Sequence, residues 1–291
     1  MGDARVTITS RDRVYFPDSG QTKGDLADYY AAVALLMLPF ASGRPLSLVR
    51  CPQGRSKKCF FQRHLTGGFG PHVEAIPITE KSGSTEDYIF IEGAAGLLEC
   101  VQMGAIEFHL WASNVSNIEA PNRLVFDLDP DEALGFAPVR DAAFEVRKHL
   151  ERSGLSSFVM LTGGKGLHVV VPLDTGHSWD RHAGFAKALA QQMSEGEPGR
   201  FTASSSMAKR KGRIFIDYLR NQRGNSAIAP YSVRARSCAP VAAPVSWEEL
   251  PDIESANAYS IADVPELERR AHSRNLSDWG LARQRLPDSD P

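Results

Sequence analysis

The segment RLVFDLDP, residues 123–130, places two carboxylates where they could share a cation. In a β-strand, side chains alternate between the two faces, so Asp127 and Asp129 point the same way, with their backbones roughly 7 Å apart. Two negative charges this close raise each other's pKa unless a cation neutralises them. A turn with two solvated aspartates remains open as an alternative, because Asp and Pro are common in turns.

A third carboxylate interrupts another apolar strand, GRIFIDYLRN, at Asp217. A lone acid inside such a strand would be costly to bury, which suggests that it has a partner. Together with Asp127 and Asp129 it makes the oxygen ligand set that suits Mg²⁺ or Mn²⁺. Two such ions can stabilise the attacking and leaving oxygens of an in-line phosphoryl transfer.

A glycine-rich stretch, TGGKG at residues 162–166, suggests phosphate binding without being a P-loop. The P-loop needs Ser or Thr after its lysine and then a helix, whereas Lys165 is followed by Gly166 and a β-prone run. The stretch therefore predicts a loop between two strands whose backbone N–H groups approach an anion, or else a plain glycine hairpin. The candidate phosphate ligands are Thr162, Gly163, Gly164, Lys165 and His168.

The charge distribution is uneven, although the formal net charge is only −2. From Arg44 to His72 there are six Lys or Arg and no acid, and from Arg200 to Arg236 there are nine and one acid. Two basic zones in a near-neutral chain suggest a polyanion-binding face, with solvated surface charge as the alternative. No apolar run has the length of a membrane span and no signal segment is visible, so we expect a cytoplasmic protein.

The four cysteines are scattered and form no CxxC pair, so reduced thiols are expected. A zinc site built from Cys51, Cys59, His64 and His72 would fit no standard spacing.

Strand and helix signals are mixed along the chain, which indicates an α+β or mixed α/β fold. Thr22 is predicted to cap a helix that ends at Pro39, and Ser178 to cap another. GRIFIDYLRN is predicted to be a strand throughout, and residues 286–291 to be frayed.

The motifs FDLDP, TGGKGLHVVVPL, IFIDYLRN and YSVRAR follow one another in the order of a known family. Together with VYFPDSGQTKGDLADYY, RPLSLVRCPQG and CFFQRH, they make the chain similar to the polymerase domain of bacterial DNA ligase D, in the archaeo-eukaryotic primase superfamily. The resemblance covers roughly residues 7–247. It implies an α+β fold with a primase-like catalytic core, an RRM-like antiparallel sheet and an N-terminal α/β module. One primase-polymerase domain is expected over residues 1–291, with 248–291 as a helical, acidic C-terminal extension.

The resemblance also implies roles for individual residues. Asp127, Asp129 and Asp217 match the catalytic metal ligands, and Thr162, Lys165 and His168 match the motif that holds the triphosphate. Further nucleotide-site residues are implied at Arg50, Phe60, Phe61, His109, Arg210 and Arg234. Basic residues that contact the 5′-phosphate of a DNA gap or break are implied at Arg13 and Lys23. For the phenylalanines, His109 and Arg13, ordinary core or surface roles remain open.

The implied function is template-directed nucleotidyl transfer from an NTP or dNTP to a primer 3′-hydroxyl, with two divalent cations, Mn²⁺ or Mg²⁺. Gap filling and end joining of double-strand breaks follow from the resemblance, as do DNA, Ku and a ligase module as partners of a monomer in the bacterial nucleoid. Two other classes stay open. A metal-dependent nuclease could use the same three acids, and a non-catalytic DNA-binding module would need only the basic zones and aromatic residues.

Overall fold

The computed structural model describes residues 6–289 and 291. The helices are α1 (Lys23–Ala41), α2 (Ala94–Gln102), α3 (Phe136–Arg152), α4 (Trp179–Gly196), α5 (Met207–Arg210) and α6 (Val264–Ala271). Within the described residues, none of these helices has both the length and the apolar character needed to cross a membrane.

The strands are short, from two to eight residues. They are β1 (Val14–Phe16), β2 (Gln21–Thr22), β3 (Leu46–Arg50), β4 (Phe60–Gln62), β5 (Val73–Thr79), β6 (Thr85–Ile91), β7 (Ala105–Leu110), β8 (Arg123–Pro130), β9 (Phe158–Leu161), β10 (Leu167–Pro172), β11 (Phe201–Thr202), β12 (Ile214–Asp217), β13 (Ala227–Ile228) and β14 (Ala243–Val245).

Helix α1 begins where the sequence predicts and ends later. The Thr22 side chain accepts a hydrogen bond from the Asp25 N–H, and the Asp25 carboxylate accepts one from the Thr22 N–H, which forms a capping box. The predicted end at Pro39 is wrong, because Pro39 lies inside the helix and Ala41 is its last residue. The proline falls in the last turn, where the Ser42 N–H still reaches the Leu38 carbonyl at 2.9 Å. One missing donor there does not end the helix.

The chain folds into two compact units. The first comprises residues 6–111, Ile228–Ala243 and Tyr259–Ala271, and the second comprises Ala112–Ala227, Pro244–Ala258 and the residues from 272 onwards. The prediction of one domain over the whole chain stays a prediction.

The first unit is built on an antiparallel sheet in which β7, β3 and β4 are neighbours, with β13 beside β7. Helix α1 packs on α2 and buries Tyr29 and Tyr30 completely in the core. The Tyr29 hydroxyl donates to the Tyr231 carbonyl at 2.9 Å and the Tyr30 hydroxyl to the Ile106 carbonyl at 2.6 Å. Each buried phenol is thereby paired, as buried polar groups must be.

The second unit contains a six-stranded sheet in the order β11-β12-β8-β10-β9-β14. Strand β8 is antiparallel to both neighbours, β12 and β10, and the β11–β12 pair is parallel. Leu124, Phe126 and Leu128 of β8 are fully buried, which confirms the predicted apolar face of this strand. Helices α3 and α4 both contact β8. The α+β prediction, with a mainly antiparallel sheet carrying the acidic motif, is confirmed.

Three local predictions are wrong. Cys51 and Cys59 form a disulfide rather than two thiols, because the β3–β4 connection brings their Cα atoms to 4.3 Å. The strand that carries Asp217 ends at that residue, and residues 218–221 form a 3₁₀ turn. The C-terminal stretch is anchored where it was expected to fray: Leu286 is buried, and the Ser289 carbonyl accepts a hydrogen bond from Arg181 at 2.8 Å. Asp290, part of that predicted stretch, lies outside the described residues.

Candidate active site

The strand register of the second unit gathers the predicted catalytic residues. Asp127 on β8 lies opposite Asp217 on β12 and also opposite His168 on β10. Directly paired residues on antiparallel strands share a face, with Cβ atoms roughly 5 Å apart. Asp129 follows two positions along β8 and points to the same face. Three carboxylates and one imidazole that are far apart in sequence therefore meet on one side of the sheet.

These carboxylates are held in an unfavourable environment for their charge. Burial, followed by repulsion from Asp127, raises the pKa of Asp129 above its ordinary value. Burial also raises the pKa of Asp217, with Asp127 again adding to the effect. The site therefore attracts positive charge.

Two arginines supply that charge. Arg210 contacts the Asp129 carboxylate at 2.9 Å and stacks over Phe215, while Arg220 lies 3.1 Å from both Asp127 and Asp217. The two carboxylates outweigh the effect of burial and raise the pKa of Arg220. Arg210 was predicted as a nucleotide contact, whereas Arg220 was not foreseen.

The sequence did contain a clue to Arg220, because it stands three residues after Asp217. One 3₁₀ turn brings residues with that spacing close together. That turn is fixed by Asn221, whose side chain accepts from the Val125 N–H at 2.7 Å and donates to the Val125 carbonyl at 2.8 Å. The sequence alone indicated a continuous strand, in which a residue at i+3 would point to the opposite face.

The donor chemistry of this site suits divalent cations. Carboxylate oxygens are the ligands that Mg²⁺ and Mn²⁺ prefer, and three of them lie on one face. Within residues 6–289 and 291, however, no group of three or more His, Cys, Asp or Glu side chains is arranged tightly enough to hold a metal ion. Arg210 and Arg220 engage the three carboxylates here, so cation binding requires these ion pairs to rearrange.

The glycine stretch forms the turn between β9 and β10, which confirms that it joins two strands. Gly163 has a positive φ of 66°, a conformation that favours glycine. A Cβ atom at Gly166 would lie 2.1 Å from the Leu128 carbonyl oxygen, so a side chain there would collide with β8. The turn is therefore pressed against the strand that carries Asp127 and Asp129.

The polar groups of this turn lie beside the carboxylates. The Thr162 hydroxyl donates to the Gly166 carbonyl at 2.8 Å, and Gly164 lies at the partly exposed tip beside Lys165. Lys165 pairs with Glu132 at 2.7 Å, an acid that was not foreseen. His168 Nε2 lies 3.6 Å from an Asp127 oxygen.

The first unit holds a different set of the predicted residues. His109 and Phe61 meet edge to face with ring centres 6.0 Å apart, and both His109 and Arg234 contact Glu107. The β3–β4 register places Phe60 and Arg50 on the opposite face, where the Arg50 guanidinium lies 5.4 Å from the Phe60 ring. The two phenylalanines thus face opposite ways.

The two residues predicted to contact a 5′-phosphate are neighbours in the first unit. The Lys23 N–H donates to the Arg13 carbonyl at 2.8 Å, and the buried Lys23 ammonium donates to the carbonyl and side-chain oxygens of Gln102, each at 2.8 Å. Burial lowers the pKa of Lys23, and the charge of Arg13 lowers it further. Two cations whose charges repel are compatible with an anion site, and their role stays a prediction.

In the second basic zone, residues 200–236, several positive charges are already paired with acids. Several of its arginines pair with acids of the second unit: Arg200 with Glu145, Arg210 with Asp129, Arg220 with Asp127, and Arg223 with Glu119. The count of basic residues therefore overstates the positive charge available to a polyanion.

Comparison with known proteins identifies relatives of this arrangement. A family model described as "LigD, primase-polymerase domain" matches residues 22–274. The Multifunctional non-homologous end joining protein LigD of Pseudomonas aeruginosa is 39% identical over 284 residues, which cover 97% of this chain and 34% of that protein. The Bifunctional non-homologous end joining protein LigD of Bacillus subtilis is 29% identical over 247 residues, which cover 84% and 39%. The chain thus spans about a third of the length of such relatives.

One solved structure matches nearly the whole chain. It is described as "Polymerase Domain from Mycobacterium tuberculosis Ligase D in complex with DNA". The TM-score is 0.86 at 34% identity, and the match covers 95% of this chain and 98% of the other.

Proposed function

Because the chain belongs to the LigD primase-polymerase family, we propose that it is a template-directed nucleotidyltransferase that extends primer 3′-hydroxyl ends with NTPs or dNTPs. The predicted primase-polymerase fold is confirmed by the structural match. The observation that best supports this activity is the row of Asp217, Asp127 and His168 across three neighbouring strands. The register alone brings acids for cation binding beside the glycine turn.

In the proposed reaction the primer 3′-oxygen attacks the α-phosphate and pyrophosphate leaves. Two divalent cations, Mn²⁺ or Mg²⁺, held by Asp127, Asp129 and Asp217 would lower the pKa of the attacking hydroxyl and stabilise charge on the leaving oxygen. The crowded, partly buried carboxylates support this assignment, because raised pKa values mark groups that lack sufficient positive charge.

The remaining residues orient the nucleotide. Lys165 exchanges its exposed contact with Glu132 for a phosphate oxygen, a small loss because surface ion pairs contribute little. Thr162 and His168 supply a hydroxyl and a ring nitrogen beside the backbone N–H group of Gly164. The Gly163 N–H donates to the Ala256 carbonyl at 2.9 Å and would exchange that bond for a phosphate oxygen. Fixing the triphosphate in this way aligns the α-phosphorus with the attacking oxygen.

The nucleotide base, sugar and DNA contacts are assigned to the other predicted residues. Phe61 is 70% exposed and can stack on a base, and His109 lies against its ring. Nucleotide roles for Arg50, Phe60, Arg210 and Arg234, and 5′-phosphate roles for Arg13 and Lys23, belong to the same proposal.

The cellular role follows from the relatives, which are named as non-homologous end joining proteins. We assign this chain gap filling and end joining at DNA double-strand breaks, with gapped or broken DNA ends as substrate and with Ku and a ligase module as partners. Such a role locates it at the bacterial nucleoid.

A primer-extension assay tests the proposal. The substrate is a labelled primer on a gapped template with a downstream 5′-phosphate, supplied with Mn²⁺ and with NTPs or dNTPs. We expect template-matched extension that Asp127→Ala abolishes and Asp141→Ala preserves, because Asp141 is an exposed acid on α3. The control removes one negative charge from the same unit without touching the sheet face.

Two outcomes would contradict the proposal. A labelled primer that becomes shorter with the wild-type protein, but not with Asp127→Ala, would identify a nuclease. A labelled primer of unchanged length would identify a binding module if both the wild type and Asp127→Ala still bind DNA.

A further inference from the structure

The first unit contains a buried acid that joins several predicted nucleotide residues. Glu107 lies on β7, and its side chain is 9% exposed. One carboxylate oxygen lies 2.8 Å from His109 Nε2 and 3.2 Å from Arg234 Nε, and the other accepts from the Ala235 N–H at 2.8 Å. The carboxylate therefore connects strand β7 to the 234–235 segment.

The contacts of Glu107 outweigh the cost of burying its charge. Burial by itself would raise the pKa of this carboxyl group, but the hydrogen bond with His109, the charge of Arg234 and the Ala235 N–H lower it to about 2. Glu107 is thus ionised at neutral pH. Two hydrogen bonds, with His109 and the Ala235 N–H, and one ion-pair contact with Arg234 restrict the geometry around this buried carboxylate more than a solvated ion pair would.

The same contacts orient two side chains. Glu107 and His109 are two residues apart on one strand and so share a face, which Phe61 shares through the β3–β4 and β3–β7 registers. A carboxylate at Nε2 favours the tautomer that carries its proton there and fixes the plane of the ring. Contact with the Arg234 Nε similarly limits the directions that the rest of the guanidinium can take.

We propose that Glu107 is a positioning residue for nucleotide binding, which acts by orienting His109 and Arg234. The inference rests on the proposed function, in which those two residues contact the nucleotide. Glu107 itself is not assigned a nucleotide contact, since both its oxygens are engaged within the protein and its side chain is nearly inaccessible. Loss of its charge should therefore weaken nucleotide binding more than it slows chemistry.

Glu107→Gln is the main test, because the amide keeps the shape of the side chain and removes its charge. We expect the KM for the nucleotide to rise about tenfold, by analogy with the loss seen when the partner that orients a metal-binding histidine is removed, with kcat changed less than threefold. Glu107→Asp restores the charge on a shorter side chain and should recover part of the loss. The matched control is Glu99→Gln, which alters another buried glutamate of the same unit, one that accepts from the His72 N–H at 2.8 Å.

A second readout does not depend on activity. In ¹⁵N-histidine NMR spectra, assigned with His109→Gln, the His109 ring should show the Nε2–H tautomer, and Glu107→Gln should shift this signal whereas Glu99→Gln should not. Lower thermal stability with an unchanged nucleotide KM and an unchanged His109 signal would overturn the inference and leave Glu107 a structural residue. If Glu107→Gln does not fold, wild-type spectra in which the His109 ring carries its proton on Nδ1 instead of Nε2 would overturn it equally.

Failure of the proposed function gives a different result. Wild-type protein that extends no primer contradicts the polymerase assignment. If the wild type extends primers and Glu107→Gln has an unchanged nucleotide KM and His109 signal, only the role of Glu107 is contradicted.

Discussion

Two clusters of acids and arginines, one in each unit, differ in how well their charges are balanced. In the first unit Glu107 is hydrogen-bonded to His109 and the Ala235 N–H and ion-paired with Arg234, and its pKa falls to about 2. In the second unit Asp129 and Asp217 sit beside a third carboxylate, and burial and mutual repulsion raise their pKa values although Arg210 and Arg220 are near. Both clusters contain arginine, and burial raises the pKa in both. At Glu107 the hydrogen bond with His109, the charge of Arg234 and the Ala235 N–H reverse that shift, whereas in the second cluster repulsion from Asp127 adds to it.

The contrast separates two uses of a buried acid. A carboxylate with a depressed pKa stabilises the folded state and fixes its neighbours, because its charged form is favoured by folding. Carboxylates with raised pKa values cost the folded state free energy, and such groups are concentrated at functional sites. The first cluster should therefore matter most for stability and orientation, and the second for chemistry.

The largest expected effect comes from Asp217→Asn. Removing one negative charge relieves repulsion with Asp127, so the free energy of unfolding should stay unchanged or rise. Primer extension should fall by about 10²-fold or more, the scale found when a group that stabilises transition-state charge is removed. Urea denaturation and the extension rate, measured on the same preparation, check both parts. A variant that loses both stability and activity would show that Asp217 stabilises the folded state, as we expect of Glu107.

Glu107→Ala, unlike Asp217→Asn, should lower the free energy of unfolding. It leaves Arg234 and His109 next to a buried site without their carboxylate, and removing one partner of a buried ion pair costs about 3 kcal/mol. Urea denaturation should register this loss, while Glu74→Ala, an exposed position on β5, should change stability by less than about 0.5 kcal/mol. Equal stability of the two variants would remove the distinction between the clusters.

Much of the second cluster could be predicted from the sequence. The alternation of RLVFDLDP places Asp127 and Asp129 on one face. Asp217 stands out as an acid inside an apolar strand, and His168 as a ring nitrogen after the glycine stretch. The row that these residues form depends on strand register, which is set by non-local pairing and was available only through the resemblance. Arg220 was not predicted, because the sequence indicated a strand that continues past it. In the structure the Asn221 side chain is hydrogen-bonded to Val125, and the chain turns after Asp217.

The first cluster was harder to foresee. His109 and Arg234 are more than a hundred residues apart, and Glu107, which joins them, looked like one charge in the strand AIEFHLW. Its alternation with His109 was a signal, since residues two apart on a strand share a face. The disulfide was not predicted for a similar reason. A spacing of eight residues does not indicate that the chain reverses direction between β3 and β4 and brings Cys51 close to Cys59.

The smallest predicted effect is a difference in pH dependence, which tests the comparison most directly. Glu107 binds fewer protons in the folded state, so its contribution to stability is present above its ordinary pKa of 4.5 and is lost as the pH falls toward about 2. Relative to Glu107→Gln, the wild type should lose about 1 kcal/mol of unfolding free energy between pH 5 and pH 3.5.

Asp217 should give the reverse slope. Its folded-state pKa is raised above 3.8, so protonation favours the folded state, and the wild type should gain stability relative to Asp217→Asn as the pH falls through that raised value. Urea denaturation of the three proteins at several pH values measures both differences. Slopes of the same sign would mean that the neighbouring groups offset burial equally well in the two clusters, and the division between an orienting acid and a cation-attracting set would fail.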